Sequence, residues 1–445
     1  MLNLWLKIRM GECKMKLFGS MKVVDNELII GGIKCSDLAK EYGTPLYVYD
    51  EDLIRDICKR YMKAFCGDNR SNRVAYAGKA FLTMAMCKIV NEEGLCLDVV
   101  SGGELYTAYK SGFPMEKIYY HGNNKTLDEI DMGVKLGVGR FVVDGFSEIH
   151  HINKAAEKYN TKQKVLLRIT PGIEAHTHDY IKTGQIDSKF GFTLLNNNVI
   201  EVVKEVLKAE NIELAGFHCH IGSQIFDTQP YKDAVDVMLS LMQSIYDETG
   251  YMLKELDLGG GIGIYYTEAD KPLELEDFCG AILEAYDKKS KELTIEPPML
   301  TIEPGRSIVA NAGITLYTVG AIKEIPNVRK YISVDGGMTD NIRPALYGAK
   351  YDCLIANRVE DSQTEVVTIA GKCCESGDIL IKDATLPVAK EGDLLAILTT
   401  GAYGFSMASN YNKIPKAAVV MVAKGKSRLV YKRESYDDLI KNELI

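Results

Sequence analysis

The sequence predicts an α/β fold, a (β/α)8 TIM-type barrel followed by a C-terminal all-β domain. Short runs of β-branched and aromatic residues alternate with stretches of helical period over roughly 250 residues, the length that eight strand–helix units need. Beyond about residue 310, strand-like runs continue with few helical stretches between them. An open doubly wound sheet is the alternative, but no GxGxxG motif follows the first predicted strand.

Eight runs in the first part of the chain have the composition and spacing of barrel strands. They are Arg73–Ala77, Leu95–Val99, Lys117–His121, Arg140–Asp144, Lys164–Ile169, Leu214–Cys219, Glu255–Leu258 and Met299–Glu303. Stretches of helical period separate them. Between the last two runs, for example, Leu275, Phe278 and Ile282 fall on one helical face. This strict alternation favours a parallel barrel in which helices cover the outside.

The change of pattern along the chain predicts the domains. Residues 1–20 form an N-terminal extension, residues 21–45 a strand segment that contributes to the β domain, residues 46–310 the barrel, and residues 311–445 the β domain. The strand candidates of the β domain are Ile314–Val319, Tyr331–Val334, Glu365–Ile369, Leu394–Leu398 and Ala417–Val422.

Composition and charge narrow the classes of function. The chain has 445 residues, of which 46% are hydrophobic and 26% charged, ordinary values that exclude disordered and fibrous classes. Its net charge of −8 argues against nucleic-acid binding, for which a basic patch is typical. No stretch approaches the roughly 20 apolar residues of a membrane span. The first residues also lack the continuous apolar segment of a signal peptide.

The cysteines indicate the compartment. There are 11, without regular spacing and without a CxxC pair. The neighbours Cys373 and Cys374 are the closest pair, and adjacent residues seldom have the geometry to form a disulfide. We therefore predict free thiols and a cytoplasmic location, with no membrane association.

Glycines and polar residues follow the predicted strands at the rim where the catalytic groups of barrel enzymes lie. Lys79 follows the first strand and Glu303 the eighth. The other members of this set are Ser101–Gly103, His121–Asn124, Arg168, His220–Ser223, Gly259–Gly261 and Arg306. Each of them alone is explained by a turn, because Gly and Asn favour turns. Their joint placement on one rim is what indicates an active site.

The glycine-rich run Gly259–Gly263 offers unobstructed backbone N–H groups to a phosphate, and Arg306 adds a charge-assisted contact. A phosphate site together with a rim lysine suggests pyridoxal phosphate. Lys79 has small and aromatic neighbours that suit a lysine of lowered pKa, which a bond to the cofactor's aldehyde requires. We expect Glu303, on the opposite side of the barrel, to hold the ring nitrogen, and His220 to stack on the ring.

A metal site is the competing interpretation. Four of the seven histidines form two H-x-H pairs, His176 with His178 and His218 with His220. Residues i and i+2 of a strand face the same way, so such a pair at a strand end can ligate a metal, as in a metallohydrolase. A metal explains neither the glycine-rich run nor Arg306. We therefore expect no metal.

A set of motifs resembles the diaminopimelate decarboxylase family, whose members belong to the alanine racemase-like, fold-type III pyridoxal-phosphate decarboxylases. The motifs are YAGKAF, SGGEL, HGNNKT, AHTHDYIKTG, SKFG, HCHIGSQ, GGGIGI, EPGRSIV, MTDNIRPALYG, CCESGD and GAYGFSMASNYN. The resemblance as a whole spans about Gly31 to Pro415. The resemblance implies decarboxylation of meso-2,6-diaminopimelate to L-lysine and CO2, the last step of lysine biosynthesis, with pyridoxal 5'-phosphate as the cofactor.

The resemblance also implies roles for individual residues. Lys79 is the lysine that binds the cofactor as a Schiff base, His220 the stacking histidine, and Glu303 the partner of the pyridine nitrogen. The residues implied at the phosphate end are Ser223, Gly260, Gly261, Gly305, Arg306 and Tyr403. Those implied in substrate binding are Arg306, Arg343, Tyr347, Glu375 and Tyr403. Arg306 therefore has two possible roles.

The CESGD motif implies a homodimer with active sites at the subunit interface, because in the family it reaches the site from the partner subunit. Cys374 is the implied proton donor, and Glu375 the implied reader of the distal amino group. The chain departs from the family pattern at Phe81, at Lys372 and in the GGMTD loop, but none of these changes removes a functional group named above. A related basic-amino-acid decarboxylase and a non-catalytic cofactor-binding protein remain as alternatives.

Overall fold

The computed structural model describes residues 7–10, 13–67, 70–173, 189–194 and 198–445. The chain forms two compact units. One, the barrel unit, comprises Cys58–Gly263 and Pro272–Gly305, and the other, the β unit, comprises Met1–Ile57, Ile264–Lys271 and Arg306–Ile445. Within the described residues, no helix has the length and apolar character needed to cross a membrane.

The barrel unit contains a closed sheet of eight parallel strands. In chain order they are Arg73–Ala77, Cys96–Val99, Ile118–Tyr120, Arg140–Val143, Gln163–Thr170, Ile212–Cys219, Glu255–Asp257 and Met299–Ile302. Each strand pairs with the next, and the eighth pairs with the first through Thr301 and Arg73, which closes the barrel. A short strand, Phe192–Thr193, adds to the fifth. The predicted barrel and all eight of its strands are confirmed.

Helices follow the strands and bury their apolar faces. The helices of this part of the chain are Glu51–Cys66, Met84–Glu92, Gly102–Ser111, Leu127–Leu136, Phe146–Lys158, Asn198–Leu207, Gln229–Thr249 and Leu275–Ser290. The amphipathic face predicted before the eighth strand is confirmed, since Leu275, Phe278 and Ile282 are buried. At the rim, Ser101 caps its helix by accepting a hydrogen bond from the Glu104 N–H at 3.2 Å.

The barrel interior is filled by side chains from its strands. One layer consists of Ala75, Cys96, Tyr119, Val142, Leu166 and Ala215. Arg140 and Glu255 are the first residues of the fourth and seventh strands, and the Arg140 guanidinium donates to Glu255 Oε1 at 2.6 Å. This buried pair lies at the amino ends of the strands. This is the end of the barrel opposite the rim where the catalytic groups of barrel enzymes lie.

The β unit contains a nine-stranded sheet, which confirms the predicted all-β domain. Its strands are Leu46–Asp50, Gly313–Ile325, Arg329–Val334, Cys353–Ile355, Thr364–Ala370, Ile379–Pro387, Leu394–Ile397, Ala418–Ala423 and Lys426–Tyr431. A three-stranded sheet and a two-stranded hairpin precede it in the chain, and the unit has four helices among its described residues. Those smaller elements are Lys7–Met10, Cys13–Lys16, Lys22–Val24, Glu27–Ile30 and Ile33–Lys34, with helices Cys35–Tyr42, Arg306–Val309, Arg343–Tyr347 and Tyr436–Ile440.

The start of the chain differs from the sequence expectation at two places. The strand Leu46–Asp50, which we placed at the start of the barrel, pairs instead with Gly313–Ile325 and Ala418–Ala423 in the β unit. Its five residues are all buried, so its sequence LYVYD has the continuous apolar character of a barrel strand. The predicted extension also contains the hairpin formed by Lys7–Met10 and Cys13–Lys16.

Candidate active site

Lys79 lies at the carboxyl-end rim of the barrel. The first strand ends at Ala77, and a single 3-10 turn, Gly78–Ala80, carries the lysine. Its Nζ is 4.0 Å from Oδ2 of Asp98, and its side chain is 45% exposed whereas that of Asp98 is 1% exposed. The primary amine is thus accessible to a ligand, and the buried Asp98 carboxyl group lies within ion-pair distance of it.

Glu303 follows the eighth strand and is buried between two histidines. Its Oε1 is 2.7 Å from Nε2 of His121, and its Oε2 is 3.2 Å from Nε2 of His218. The two imidazole rings are nearly perpendicular, with centroids 4.9 Å apart. Our placement of Glu303 opposite Lys79 was wrong, because the eighth strand pairs directly with the first. Asp98 and His121, 3.7 Å apart, connect the two residues instead.

The surroundings of the titratable groups in this cluster shift their pKa values in different directions. Burial raises the pKa of Glu303, but the facing His121 and His218 outweigh it and hold that pKa well below its ordinary value. Burial and the Glu303 charge raise the pKa of Asp257 well above the ordinary range, and burial raises the pKa of Asp98. Burial lowers the pKa of His218 to about 4. At neutral pH, Glu303 is therefore ionised while His218 is uncharged.

The glycine-rich loop after the seventh strand packs on His220. The Gly260 N–H donates to Nδ1 of His220 at 3.3 Å, so the imidazole carries its proton on Nε2. Burial, with a smaller effect from the Lys79 charge, lowers the pKa of His220 well below its ordinary value and keeps the ring neutral. Ser223 is half-buried in the neighbouring loop after the sixth strand. The flat ring and the loop thus lie together on the rim.

Three rim positions accept only glycine. A Cβ at Gly260 would lie 2.1 Å from the Glu303 carbonyl oxygen, and a Cβ at Gly261 would lie 2.2 Å from the carbonyl oxygen of Gly222. A Cβ at Gly305 would lie 2.8 Å from Cβ of Ala77. A side chain at any of these positions would clash with neighbouring protein atoms, so the close packing of the rim requires glycine there.

The β unit holds a second cluster, built from two arginines and tyrosines. The phenol oxygen of Tyr266 accepts hydrogen bonds from Arg306 at 2.6 Å and from Arg343 at 2.8 Å. The Arg343 guanidinium also lies over the rings of Tyr347 and Tyr403, at 6.0 and 5.6 Å from their centroids. The two arginines proposed for carboxylate binding are thus brought together with both tyrosines.

The arginine cluster has the electrostatics of an anion site. Burial raises the pKa of the Tyr266 phenol, but Arg306 and Arg343 outweigh it and lower that pKa. Among the described residues, no carboxylate forms an ion pair with the buried Arg343. Tyr403 has a φ of +62°, a left-handed conformation that costs a non-glycine residue about 1–3 kcal/mol. Strain of this kind is typical of functional sites.

The CESGD loop of the β unit is exposed. The Cys374 N–H donates to Oδ1 of Asn412 at 2.8 Å, and the Glu375 carboxylate accepts the Gly377 N–H at 3.2 Å. The buried Asp378 anchors the loop by accepting the Cys373 N–H at 2.8 Å. The loop is therefore held in a defined shape while Cys374 and Glu375 face outward.

Comparison with known proteins shows the family to which the chain belongs. Residues 51–310 match the family model described as "Pyridoxal-dependent decarboxylase, pyridoxal binding domain". The diaminopimelate decarboxylase of Bacillus subtilis is 52% identical over 94% of this chain and 95% of its own. The chain belongs to the diaminopimelate decarboxylase family. The diaminopimelate decarboxylase of Staphylococcus aureus is 47% identical over 94% of this chain and 98% of its own.

A solved diaminopimelate decarboxylase has the same fold. The enzyme of M. jannaschii, in a complex with L-lysine, superposes with a TM-score of 0.90 and 37% identity over 96% of this chain and 98% of its own. This likeness spans both units. The fold inferred from the sequence resemblance is thereby confirmed.

The barrel rim of this diaminopimelate decarboxylase family member fits pyridoxal phosphate. The group needs an amine, an acid for its ring nitrogen, a flat partner for its ring and a cradle for its phosphate. Lys79 supplies the amine, and the ionised Glu303 the acid. The neutral His220 would be the flat partner, and the glycine-rich loop that packs on it would be the place for the phosphate.

Sequence reasoning gave no role to several residues that complete the two clusters of this family member. They are His121, His218, Asp98, Asp257 and Tyr266. His121 and His218 had been recognised only as a rim residue and as half of a possible metal pair. The ligand atoms of His121, His218 and Glu303 lie within 4.8 Å of one another. His176 and His178 lie outside the described residues.

Proposed function

We propose that the protein decarboxylates meso-2,6-diaminopimelate to L-lysine and CO2 with pyridoxal phosphate as cofactor, the last step of lysine biosynthesis. The observation that carries the proposal is the barrel rim, where Lys79 and the ionised Glu303 are joined through Asp98 and His121. The curated relatives named diaminopimelate decarboxylase support the substrate. The lysine bound to the M. jannaschii enzyme is the expected product.

Bound pyridoxal phosphate supplies an aldehyde that bonds to amines and a protonated ring that withdraws electrons from the substrate's α-carbon. Lys79 would hold the cofactor through its side-chain amine. The Glu303 carboxylate would keep a proton on the ring nitrogen, because an ionised acid at this position favours the protonated ring. His220 would offer an uncharged flat face to the ring, and the glycine loop would hold the phosphate.

Substrate recognition falls to the arginine cluster. Arg306 and Arg343 present guanidinium groups that share the phenol oxygen of Tyr266, and Tyr347 and Tyr403 lie beside Arg343. Guanidinium forks bind carboxylates in bidentate fashion. We assign Arg343 to a carboxylate that the product retains. A substrate without that carboxylate would leave Arg343 buried and without its anion.

A substrate panel tests the proposed function. We expect CO2 release from meso-diaminopimelate with a kcat/KM at least about a thousandfold above that for lysine or ornithine, because a site built for a polar group rejects analogues that lack it. The measurement is trapped CO2 from purified holoenzyme with each amino acid. Equal or greater turnover of ornithine or lysine would assign the protein to the related basic-amino-acid decarboxylases. Cofactor binding without CO2 release from any of them would favour the non-catalytic alternative.

We further propose a cytoplasmic homodimer in which each active site takes Cys374 and Glu375 from the partner subunit. The exposed, anchored CESGD loop supports this arrangement, since Cys374 and Glu375 are both exposed while the loop is held by Asp378 and Asn412. Cys374 donates the proton to the α-carbon, and Glu375 pairs with the distal ammonium group of the substrate. The ten cysteines whose side chains are described are all free thiols, as a reducing compartment requires.

Mixing two inactive variants tests the shared site. Lys79→Ala removes the cofactor amine, and Cys374→Ala removes the proton donor. If the two residues act from different subunits, a mixed dimer contains one site with both native residues. Unfolding and refolding an equimolar mixture should therefore restore about a quarter of wild-type activity. If both residues act within one subunit, every site lacks one of them, and the mixture stays inactive.

A further inference from the structure

We propose that His121 and His218 are positioning residues that hold the Glu303 carboxylate in place, one at each of its oxygens. The inference rests on the proposed function and deepens it, because Glu303 is the residue that would face the ring nitrogen of the cofactor. Neither histidine has been given a role in the reaction described above. Both act through Glu303 rather than on the substrate.

The geometry is that of a two-sided clamp. His121 Nε2 lies 2.7 Å from Oε1 of Glu303, and His218 Nε2 lies 3.2 Å from Oε2. The two rings are set at 74° to each other, so each approaches the carboxylate from a different direction. Three different strands supply the residues: His218 lies in the sixth, while His121 and Glu303 follow the third and the eighth.

The acceptor chemistry indicates which nitrogen of each imidazole carries the proton. An ionised carboxylate only accepts, so the Nε2 atom that faces Glu303 is the donor. His218 forms a hydrogen bond to Oε2 at 3.2 Å, and His121 lies within ion-pair distance of Oε1 at 2.7 Å. His121 Nε2 also lies 3.7 Å from Asp98 Oδ1, and Asp98 Oδ2 lies 4.0 Å from the Lys79 amine. The clamp thus connects the two ends of the proposed cofactor site.

Among the described residues, the charged groups close to the clamp belong to the barrel unit. The neighbouring acids are Asp98, Glu104 and Asp257, and the neighbouring cations are Lys79 and Arg168. The burial of Glu303 and the negative charges of Asp98 and Asp257 favour the protonated form of Glu303. The two imidazoles favour its carboxylate form. Without the imidazole donors, the balance would move toward a protonated Glu303. A protonated acid cannot hold a proton on the ring nitrogen.

Separate His121→Leu and His218→Leu variants remove one donor each, while His121→Gln and His218→Gln keep a donor of similar reach. His150→Gln is the matched control, because His150 is exposed on the helix Phe146–Lys158. We expect each Leu variant to lower kcat by about 10- to 100-fold with little change in KM, because an unmade hydrogen bond to a buried charge costs about 1.5–3 kcal/mol. The Gln variants should recover most of this loss, and the control should match the wild type.

The pH dependence distinguishes positioning from mere structural support. Removing a donor raises the pKa of Glu303, so the acid limb of the kcat profile should move upward by about one pH unit. A second measurement does not depend on turnover. Fluorescence titration of the apo-protein with pyridoxal phosphate should show that the Leu variants bind the cofactor more weakly, and that this loss increases as the pH falls toward the acid limb of the profile.

Several outcomes would overturn the inference. Leu variants with wild-type kcat, pH profile and cofactor affinity would show that Glu303 needs neither histidine. If the Leu variants fail to fold, the Gln variants decide, since loss of activity in a folded Gln variant with an unshifted acid limb contradicts a positioning role. If the wild type binds pyridoxal phosphate but releases no CO2, the proposed function fails. In that case the cofactor titration still tests the clamp.

Discussion

Replacing Lys79 with alanine is expected to lower kcat for diaminopimelate by at least about a thousandfold, because the variant loses the amine that bonds to the cofactor. Lys79 is the rim lysine whose Nζ lies 4.0 Å from the buried Asp98. Borohydride reduction of the wild type should fix pyridoxyl label on the peptide that contains Lys79. The alanine variant should take up cofactor only reversibly and keep no label.

Two further variants sharpen this experiment. Lys79→Arg keeps the positive charge but has no amine that can bond to the aldehyde, so it should be as inactive as the alanine variant. Lys88→Ala is the control, because the Lys88 side chain is 73% exposed on a helix and forms an ion pair with Glu92 at 4.0 Å. Full turnover in Lys79→Ala, or label on another lysine, would refute the assignment and the proposed mechanism with it.

Replacing Arg343 with glutamine is expected to lower kcat/KM for diaminopimelate by about 30- to 1,000-fold. Losing one partner of a buried charge pair costs about 2–4 kcal/mol. Arg343 is 8% exposed and shares the Tyr266 phenol with Arg306, which lies beside it. Because the substrate carboxylate is its expected anion, the loss should appear mainly as a raised KM.

The Arg343 prediction separates carboxylate recognition from simple charge. Arg343→Lys should recover only part of the affinity, since an ammonium is a point charge that cannot make two parallel hydrogen bonds. Arg329→Gln is the control, because Arg329 pairs with the exposed Asp383 at 2.6 Å in the β sheet. The glutamine variant should also discriminate less between diaminopimelate and lysine. An unchanged ratio of the two kcat/KM values would rule out Arg343 as the carboxylate reader.

Local sequence was sufficient for the repeating part of the fold. Each barrel strand is a short apolar run followed by a helical stretch, so the alternation itself specifies a barrel. The rim residues could also be predicted, because Lys79, Glu303 and the glycine run come directly after strands. The family motifs then gave roles to residues that periodicity alone leaves ambiguous.

The sequence could not show which residues meet across the molecule. Leu46–Asp50 has the composition of a barrel strand, and only its pairing partners far along the chain assign it to the β sheet. The contacts of His121 and His218 with Glu303 depend on how three strands are ordered around the barrel. Tyr266 carries no motif signal of its own, and its role follows from two arginines 40 and 77 positions later.

The pairing of the strand Leu46–Asp50 affects how the protein folds while it is being translated. Its neighbours in the sheet are Gly313–Ile325 and Ala418–Ala423, so this segment has to wait until residues as distant as 418–423 are translated. Its five buried residues are exposed during that interval unless a chaperone covers them. Pairing of this strand with its distant partners is slow, because the entropy cost of closing the long intervening loops precedes the gain from the contacts. We expect nascent chains truncated before residue 418 to be recognised by chaperones through this segment.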